Sequence, residues 1–112
     1  MRNDAVLGTA AHRIIGEEEV AISVVSLWEL VLKHRKGKLV LPDGPLLPSL
    51  EQQGFTVLPI RPEHIESSRD IHLGHEDPFD LLLVAVARSE RRILLTRNRA
   101  ILSSALNWVQ AA

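Results

Sequence analysis

Short, mostly apolar runs rich in β-branched residues alternate along this chain with stretches of helical pattern. The runs have strand length and cover residues 20–25, 55–60 and 93–96. The helical stretches cover residues 26–36, 46–53, 62–71 and 77–92. Strands separated by helices imply crossover connections, and apolar strands imply that both faces of the sheet are covered. The sequence therefore predicts an α/β sandwich built on a parallel sheet.

The two ends of the chain fit this pattern less well. Residues 4–19 are predicted to form a helix that ends at Gly16 and an acidic turn, with no strand before it. Residues 100–109 are compatible with one helix, or with a short helix and a last strand near residues 106–109. The length of 112 residues predicts one domain, spanning residues 1–112.

Composition narrows the chemistry that is available. The chain has no cysteine, which excludes disulfides and thiolate metal sites and leaves carboxylates, histidines and backbone oxygens as ligands. No run at the start resembles a signal peptide and no segment is long enough to span a membrane, so we expect a cytoplasmic protein. The net charge of −1 argues mildly against a protein that coats nucleic acid. Basic residues still cluster over residues 33–38 and 88–99, a pattern that is more often a solvated helix face.

Two helix starts carry acids at the same spacing. Ser26 and Glu29 form a Ser-x-x-Glu sequence, and Asp77-Pro78-Phe79-Asp80 places a second acid three residues after the first. Each pattern has a purely local explanation, as a capping box at Ser26 and as an N-cap at Asp77 followed by proline.

The position of these acids favours a metal site. Ligands bind beyond the carboxyl ends of parallel strands, and Glu29 follows the first predicted strand. Thr96-Arg97-Asn98 follows the third strand and reaches the same edge. Carboxylate and amide oxygens gathered there would suit Mg²⁺, which activates water for attack on phosphoryl groups.

Several motifs resemble PIN domains, and more narrowly the toxin ribonucleases of VapBC toxin–antitoxin pairs. The resemblance covers residues 4–109 and depends on the order and spacing of the motifs. They are Val24-Val25-Ser26-Leu27-Trp28-Glu29, Gly37-Lys38-Leu39, Gly54-Phe55 before Val57-Leu58-Pro59-Ile60, His75-Glu76-Asp77-Pro78-Phe79-Asp80, and Thr96-Arg97-Asn98.

This resemblance implies an endoribonuclease that holds Mg²⁺ or Mn²⁺ and cleaves RNA. Glu29 matches the second family acid, Asp80 the third, and Asn98 the Asp/Asn of the Thr-Arg-Asp/Asn turn. Asp77 resembles an additional acid and completes the expected metal set of Glu29, Asp80 and Asp77. Expected substrate contacts are Thr96, Arg97 and Arg99. The implied partners are RNA and an antitoxin protein that covers the site.

One departure from the family concerns its first acid, which ends an opening, central strand. This sequence shows no such strand, so we expect a reading frame opened at an internal Met or a truncated relative. The consequences would be weak metal binding, little activity, and self-association as a homodimer or larger assembly through unpaired strand edges. Alternatives are an inactive PIN remnant that serves as a binding or dimerisation module and, with less support, a metal-dependent phosphatase or DNA nuclease.

The other polar candidates carry weaker signals. His34, His64, His72 and His75 lack metal-finger spacing, and the last two are expected in a polar loop. Trp28 is predicted to be a core residue rather than a platform for RNA bases. The sequence has no glycine-rich phosphate loop and no Gly-x-Ser-x-Gly nucleophile elbow.

Overall fold

A computed structural model describes residues 12–17, 19–75 and 77–112. In this part of the chain five strands form one sheet in the order β3-β2-β1-β4-β5. The strands are β1 (Arg13–Ile15), β2 (Val20–Ser23), β3 (Phe55–Leu58), β4 (Ile93–Thr96) and β5 (Val109–Ala111). The described helices are α1 (Val24–Arg35), α2 (Leu46–Gln52), α3 (Pro62–Ser67), α4 (Pro78–Ser89) and α5 (Arg99–Leu102), with a 3₁₀ turn at Ser68–Asp70.

Four strands run in one direction and the central strand runs the other way. β2 pairs with β3, and β4 with β5, in parallel, whereas β1 is antiparallel to both β2 and β4. Only residues 16–19 separate β1 from β2, which is too short for a parallel crossover. The backbone N–H of Gly16 closes this turn on the carbonyl of Glu19 at 3.1 Å. The α/β architecture is confirmed, and the expectation of a parallel sheet holds for four of the five strands.

The central strand corrects the interpretation of residues 4–19 as a helix. Residues 13–15 are a strand, while residues 1–11 lie outside the described part of the chain. Ile14 and Ile15 are β-branched, and Ile14 is completely buried opposite Ala21 and Leu94. The centre of the sheet is therefore filled. The argument for self-association through unpaired edges beside a gap loses its basis.

Helices cover both faces of the sheet, as expected from its apolar strands. Successive residues of β2 point to opposite faces. Ala21 belongs to one core cluster and Ile22 to the other. The first cluster includes the buried residues 83–87 of α4, and the second joins Leu30 of α1 to Leu50 of α2. The result is the expected three-layer sandwich.

Helix starts follow the local caps, and one of them differs from prediction. The side chain of Asp77 accepts from the backbone N–H groups of Phe79 and Asp80 and begins α4, as predicted. The predicted capping box at Ser26 is wrong, because Ser23 is the cap of α1 and accepts from Val25 N–H at 3.0 Å. β2 accordingly ends two residues earlier than expected.

The end of the chain follows the second of the two expected arrangements. The short helix α5 is followed by the strand β5, although that strand lies slightly later than residues 106–109. Among the described residues, no helix has both the length and the apolar character needed to cross a membrane.

Candidate metal centre

The candidate site lies at the sheet edge where β2 and β4 end, at Ser23 and Thr96. Because β1 runs in the opposite direction, the residue that precedes it lies at this same edge. That residue is His12, next to Arg13, which pairs with Leu95. His12 Nδ1 lies 2.8 Å from Thr96 Oγ1.

Three side chains from separate elements meet here: His12 before β1, Glu29 in α1 and Asp80 in α4. Each offers one ligand atom, and these three atoms lie within 4.8 Å of one another. His12 Nε2 is 3.9 Å from Glu29 Oε1. The structure thus brings together the two acids that the sequence singled out and adds a histidine that sequence reasoning missed.

Asp80 is the most firmly held member of the cluster. Its side chain is buried, and Oδ2 lies 3.0 Å from His75 Nε2 and accepts from Asn98 Nδ2 at 3.3 Å. Asn98 Oδ1 is already used, because it accepts from the N–H groups of Ala100 and Ile101 and caps α5. Asn98 therefore turns its amide nitrogen, which cannot ligate a metal as an amide oxygen does, toward Asp80.

The other expected site residues lie around the cluster and not within it. Asp77 is exposed, and its Oδ1 is occupied in capping α4. Thr96 is 2% exposed, so it does not face solvent. Its hydroxyl accepts from the Asn98 N–H and lies against His12. Arg97 and Arg99 are exposed beyond the end of β4. His75 lies in the loop before α4, as expected, and it also contacts Asp80.

The electrostatics of the cluster leave negative charge uncompensated. Burial raises the pKa of Glu29 to about 7, and the charges of Asp80 and Asp77 act in the same direction. Glu29 Oε1 is buried and has no hydrogen-bond partner. Burial lowers the pKa of His12, and the hydrogen bond to Asp80 raises that of His75.

These features fit a divalent cation. Ligands of one octahedral ion with bonds of about 2.1 Å lie roughly 3 to 4.2 Å apart. The three ligand atoms, within 4.8 Å of one another, therefore need only small side-chain movements to bind one ion. A cation would also satisfy Glu29 Oε1 and offset the repulsion between the carboxylates. The histidine makes this a mixed nitrogen and oxygen site.

His12 had a weak signal in the sequence. Two β-branched residues, Ile14 and Ile15, are followed by a glycine-containing turn and then by the run of β2, which is typical of a hairpin. Trp28 is also placed differently from expectation. Its side chain is 54% exposed on α1 and packs edge-on against Phe79, with ring centroids 5.0 Å apart.

Two surface depressions adjoin the site. A groove of about 230 Å³ includes Glu29, and a larger cleft of about 670 Å³ includes Asp77 and His75. The groove is lined by Glu29, Leu32, Lys33, Lys36, Lys38 and Phe79. Within the described part of the chain, none of these lysines lies in an ion pair.

Comparison with known families agrees with this fold. The PIN domain family model matches residues 2–105, nearly the whole chain. No curated protein and no solved structure matches the chain significantly. The resemblance drawn from the motifs is thereby confirmed at the level of the PIN domain, and the chain belongs to the PIN domain family.

Proposed function

We propose that this chain is a metal-dependent endoribonuclease of the VapC toxin type, which hydrolyses RNA phosphodiesters with Mg²⁺ or Mn²⁺. PIN domains are nucleases and typically use a divalent metal. The observation that carries the proposal is the meeting of Glu29, Asp80 and His12 at the carboxyl edge of the sheet. Ligand sites in open α/β sheets lie at such an edge.

In this proposal Glu29, Asp80 and His12 hold the ion, and neighbouring residues fix their geometry. His75 and Asn98 both contact Asp80 Oδ2 and restrict the orientation of its carboxylate. Asp77 adds negative charge near the site from the cap of α4. A divalent ion at such a site supplies charge stabilisation for a phosphoryl group and activates water.

The lysines beside Glu29 would bind the RNA backbone. Lys33, Lys36 and Lys38 line a groove that reaches Glu29, so phosphates bound there would lie close to the ion. Arg97 and Arg99 are exposed after β4 and could contact phosphates on another side. The net charge of −1 is compatible with this arrangement, because the positive charge is concentrated locally.

Resemblance to the VapC toxins extends the proposal to partners. A cognate antitoxin would cover the acidic site, and the protein would act in the cytoplasm. Self-association as a homodimer or larger assembly is a separate proposal, which no longer rests on a gap in the sheet. Size-exclusion chromatography with light scattering, on the chain alone and with its candidate antitoxin, tests both partners.

An inactive PIN module is the second candidate. The cluster contains two carboxylates, and the raised pKa of Glu29 leaves part of its population neutral near pH 7. Both features argue for weaker metal binding than a site with three carboxylates would give. This candidate predicts RNA or partner binding without cleavage.

Cleavage of structured RNAs separates the two candidates. The reaction should need Mn²⁺ or Mg²⁺, stop with EDTA and fail with Asp80→Asn. Asp43→Asn serves as a control, since Asp43 is exposed in the loop between α1 and α2. RNA binding without metal-dependent cleavage would instead support the module, and cleavage by the Asp80→Asn variant would contradict the proposed site.

A further inference from the structure

We infer that His12 is a metal ligand and that its nitrogen makes this site select Mn²⁺ or a later first-row transition ion over Mg²⁺. The inference depends on the proposed metal role of the site. It goes further by assigning Nε2 of His12 as the ligand atom and by naming the class of ion that this nitrogen selects.

The reversed central strand is what brings a histidine to this position. A parallel strand at the centre of the sheet would present its last residue at the site edge. β1 is antiparallel to both neighbours, so it presents the residue before its start, His12. The strand is anchored by the fully buried Ile14, which fixes where His12 lies. The His12 side chain is 13% exposed and faces Glu29, not open solvent.

The contact with Thr96 leaves one ring nitrogen free for a ligand. Nδ1 lies 2.8 Å from Thr96 Oγ1, a hydroxyl that also accepts from the Asn98 N–H. With its proton on Nδ1, a neutral imidazole donates to this hydroxyl and keeps the Nε2 lone pair available. Nε2 is the atom that lies 3.9 Å from Glu29 Oε1. A hydrogen bond on the second nitrogen is the usual way in which a metal-binding histidine is oriented.

The donor set then determines the preferred ion. Mg²⁺ favours oxygen ligands, whereas imidazole favours first-row transition ions. Asn98 does not supply a further oxygen ligand, because its Oδ1 accepts hydrogen bonds at the cap of α5. The cluster therefore offers two carboxylates and one imidazole, a combination that suits Mn²⁺ and the ions that follow it in the Irving–Williams order.

Metal binding by the tag-free chain tests this inference directly. Calorimetric titrations with Mn²⁺ and Mg²⁺ should give tighter binding of Mn²⁺ than of Mg²⁺. Pulsed electron paramagnetic resonance of the Mn²⁺ complex should show coupling to a ¹⁴N nucleus. His12→Gln should remove that coupling and weaken Mn²⁺ binding by roughly 10- to 100-fold, with little change for Mg²⁺. His12→Asp should shift the preference toward Mg²⁺.

Matched histidine variants identify the nitrogen. His72→Gln, at an exposed position, should leave both the Mn²⁺ affinity and the ¹⁴N coupling unchanged. His75→Gln should retain the coupling, since His75 is outside the cluster, but it should lower the affinity because His75 orients Asp80. Circular dichroism checks that each variant folds. Equal affinities of the wild-type chain for the two ions would overturn the inference, as would a ¹⁴N signal that persists in His12→Gln.

The same experiments separate the inference from the proposed function. A ¹⁴N-coupled Mn²⁺ site without RNA cleavage would support the inference and contradict the ribonuclease proposal. RNA cleavage by a chain that binds Mg²⁺ and Mn²⁺ equally and shows no ¹⁴N coupling would support the ribonuclease proposal and contradict the inference.

Discussion

The starts of α1 and α4 look alike in sequence and differ in structure. Both carry two polar residues three positions apart, Ser26 and Glu29 in one and Asp77 and Asp80 in the other. In α4 the first of the pair is the helix cap and the second is buried with two hydrogen-bond partners. In α1 the cap is Ser23, so the pair lies inside the helix, and Glu29 Oε1 has no hydrogen-bond partner among the described residues.

The two acids of the site are therefore supported to different extents by the surrounding protein. Asp80 is oriented by the protein itself, through His75 and Asn98. Glu29 lacks such support, and its buried charge is destabilising until a cation offsets it. Metal binding should therefore depend on both acids, while the stability of the metal-free chain should suffer from Glu29 in particular.

Asp80→Asn is expected to have the largest effect of the substitutions in this comparison. It removes a charged ligand and should lower metal affinity by about 100-fold or more, since even supporting residues contribute 10- to 100-fold. Asp77→Asn is the matched control, because asparagine is itself a good N-cap and should change stability by only a few tenths of a kcal/mol. Calorimetric metal titration and chemical denaturation measure the two effects. Similar losses of metal affinity in both variants would show that Asp77 is a ligand as well.

Glu29→Gln should stabilise the metal-free chain at pH 8 and abolish tight metal binding. The folded pKa of about 7 lies above the ordinary value of 4.5, so folding favours protonated Glu29. Its contribution to stability is present at low pH and is lost as pH rises from about 4.5 to 7. The gain from glutamine at pH 8 should be roughly 1–2 kcal/mol, allowing for solvent screening of a side chain that is 20% exposed.

Denaturation at pH 5 and pH 8, with and without Mn²⁺, measures this effect. The gain should shrink to about a quarter of its pH 8 value at pH 5. Saturating Mn²⁺ should stabilise the wild-type chain more than Glu29→Gln. Glu51→Gln, at an exposed position on α2, is the control. A variant that is less stable than wild type at pH 8 without metal would contradict the view that Glu29 is destabilising.

Local sequence was sufficient to predict some features of the two helix starts and of the site, and insufficient to predict others. The cap at Asp77 and the burial of α4 follow from signals within one segment, the Asp-Pro pair and an apolar run. The three residues of β1 are too few for a periodic pattern, and their place in the sheet depends on pairing with two distant strands. His12 could not be assigned to the site without knowing that β1 runs in reverse. Ser23 and Ser26 are both good caps, and only the end of β2 distinguishes them.

Thr96→Val tests the support of the third cluster member, His12. Valine keeps the shape of threonine and removes the hydroxyl that contacts His12 Nδ1 and accepts from Asn98. Metal affinity should fall by about tenfold, the lower end of the effect of a supporting residue. Thr56→Val is the matched control, since Thr56 is exposed and donates to Glu19 on a different part of the sheet. An unchanged Mn²⁺ affinity in Thr96→Val would mean that His12 is held in place by other contacts.

The smallest expected effect concerns the groove beside Glu29. If Lys36 contacts one RNA phosphate, Lys36→Ala should weaken RNA binding severalfold and reduce the salt dependence of affinity by about one unit in the logarithmic slope. Metal affinity should stay unchanged, because Lys36 is not in the cluster. Arg69→Ala removes an exposed cation that pairs with Glu66 at the surface and should leave the slope as it is. Fluorescence anisotropy with a short RNA at several salt concentrations, in Ca²⁺ to limit cleavage, provides the slopes. Equal slopes for wild type and Lys36→Ala would place the RNA backbone elsewhere, with the cleft beside His75 and Asp77 as the next surface to test.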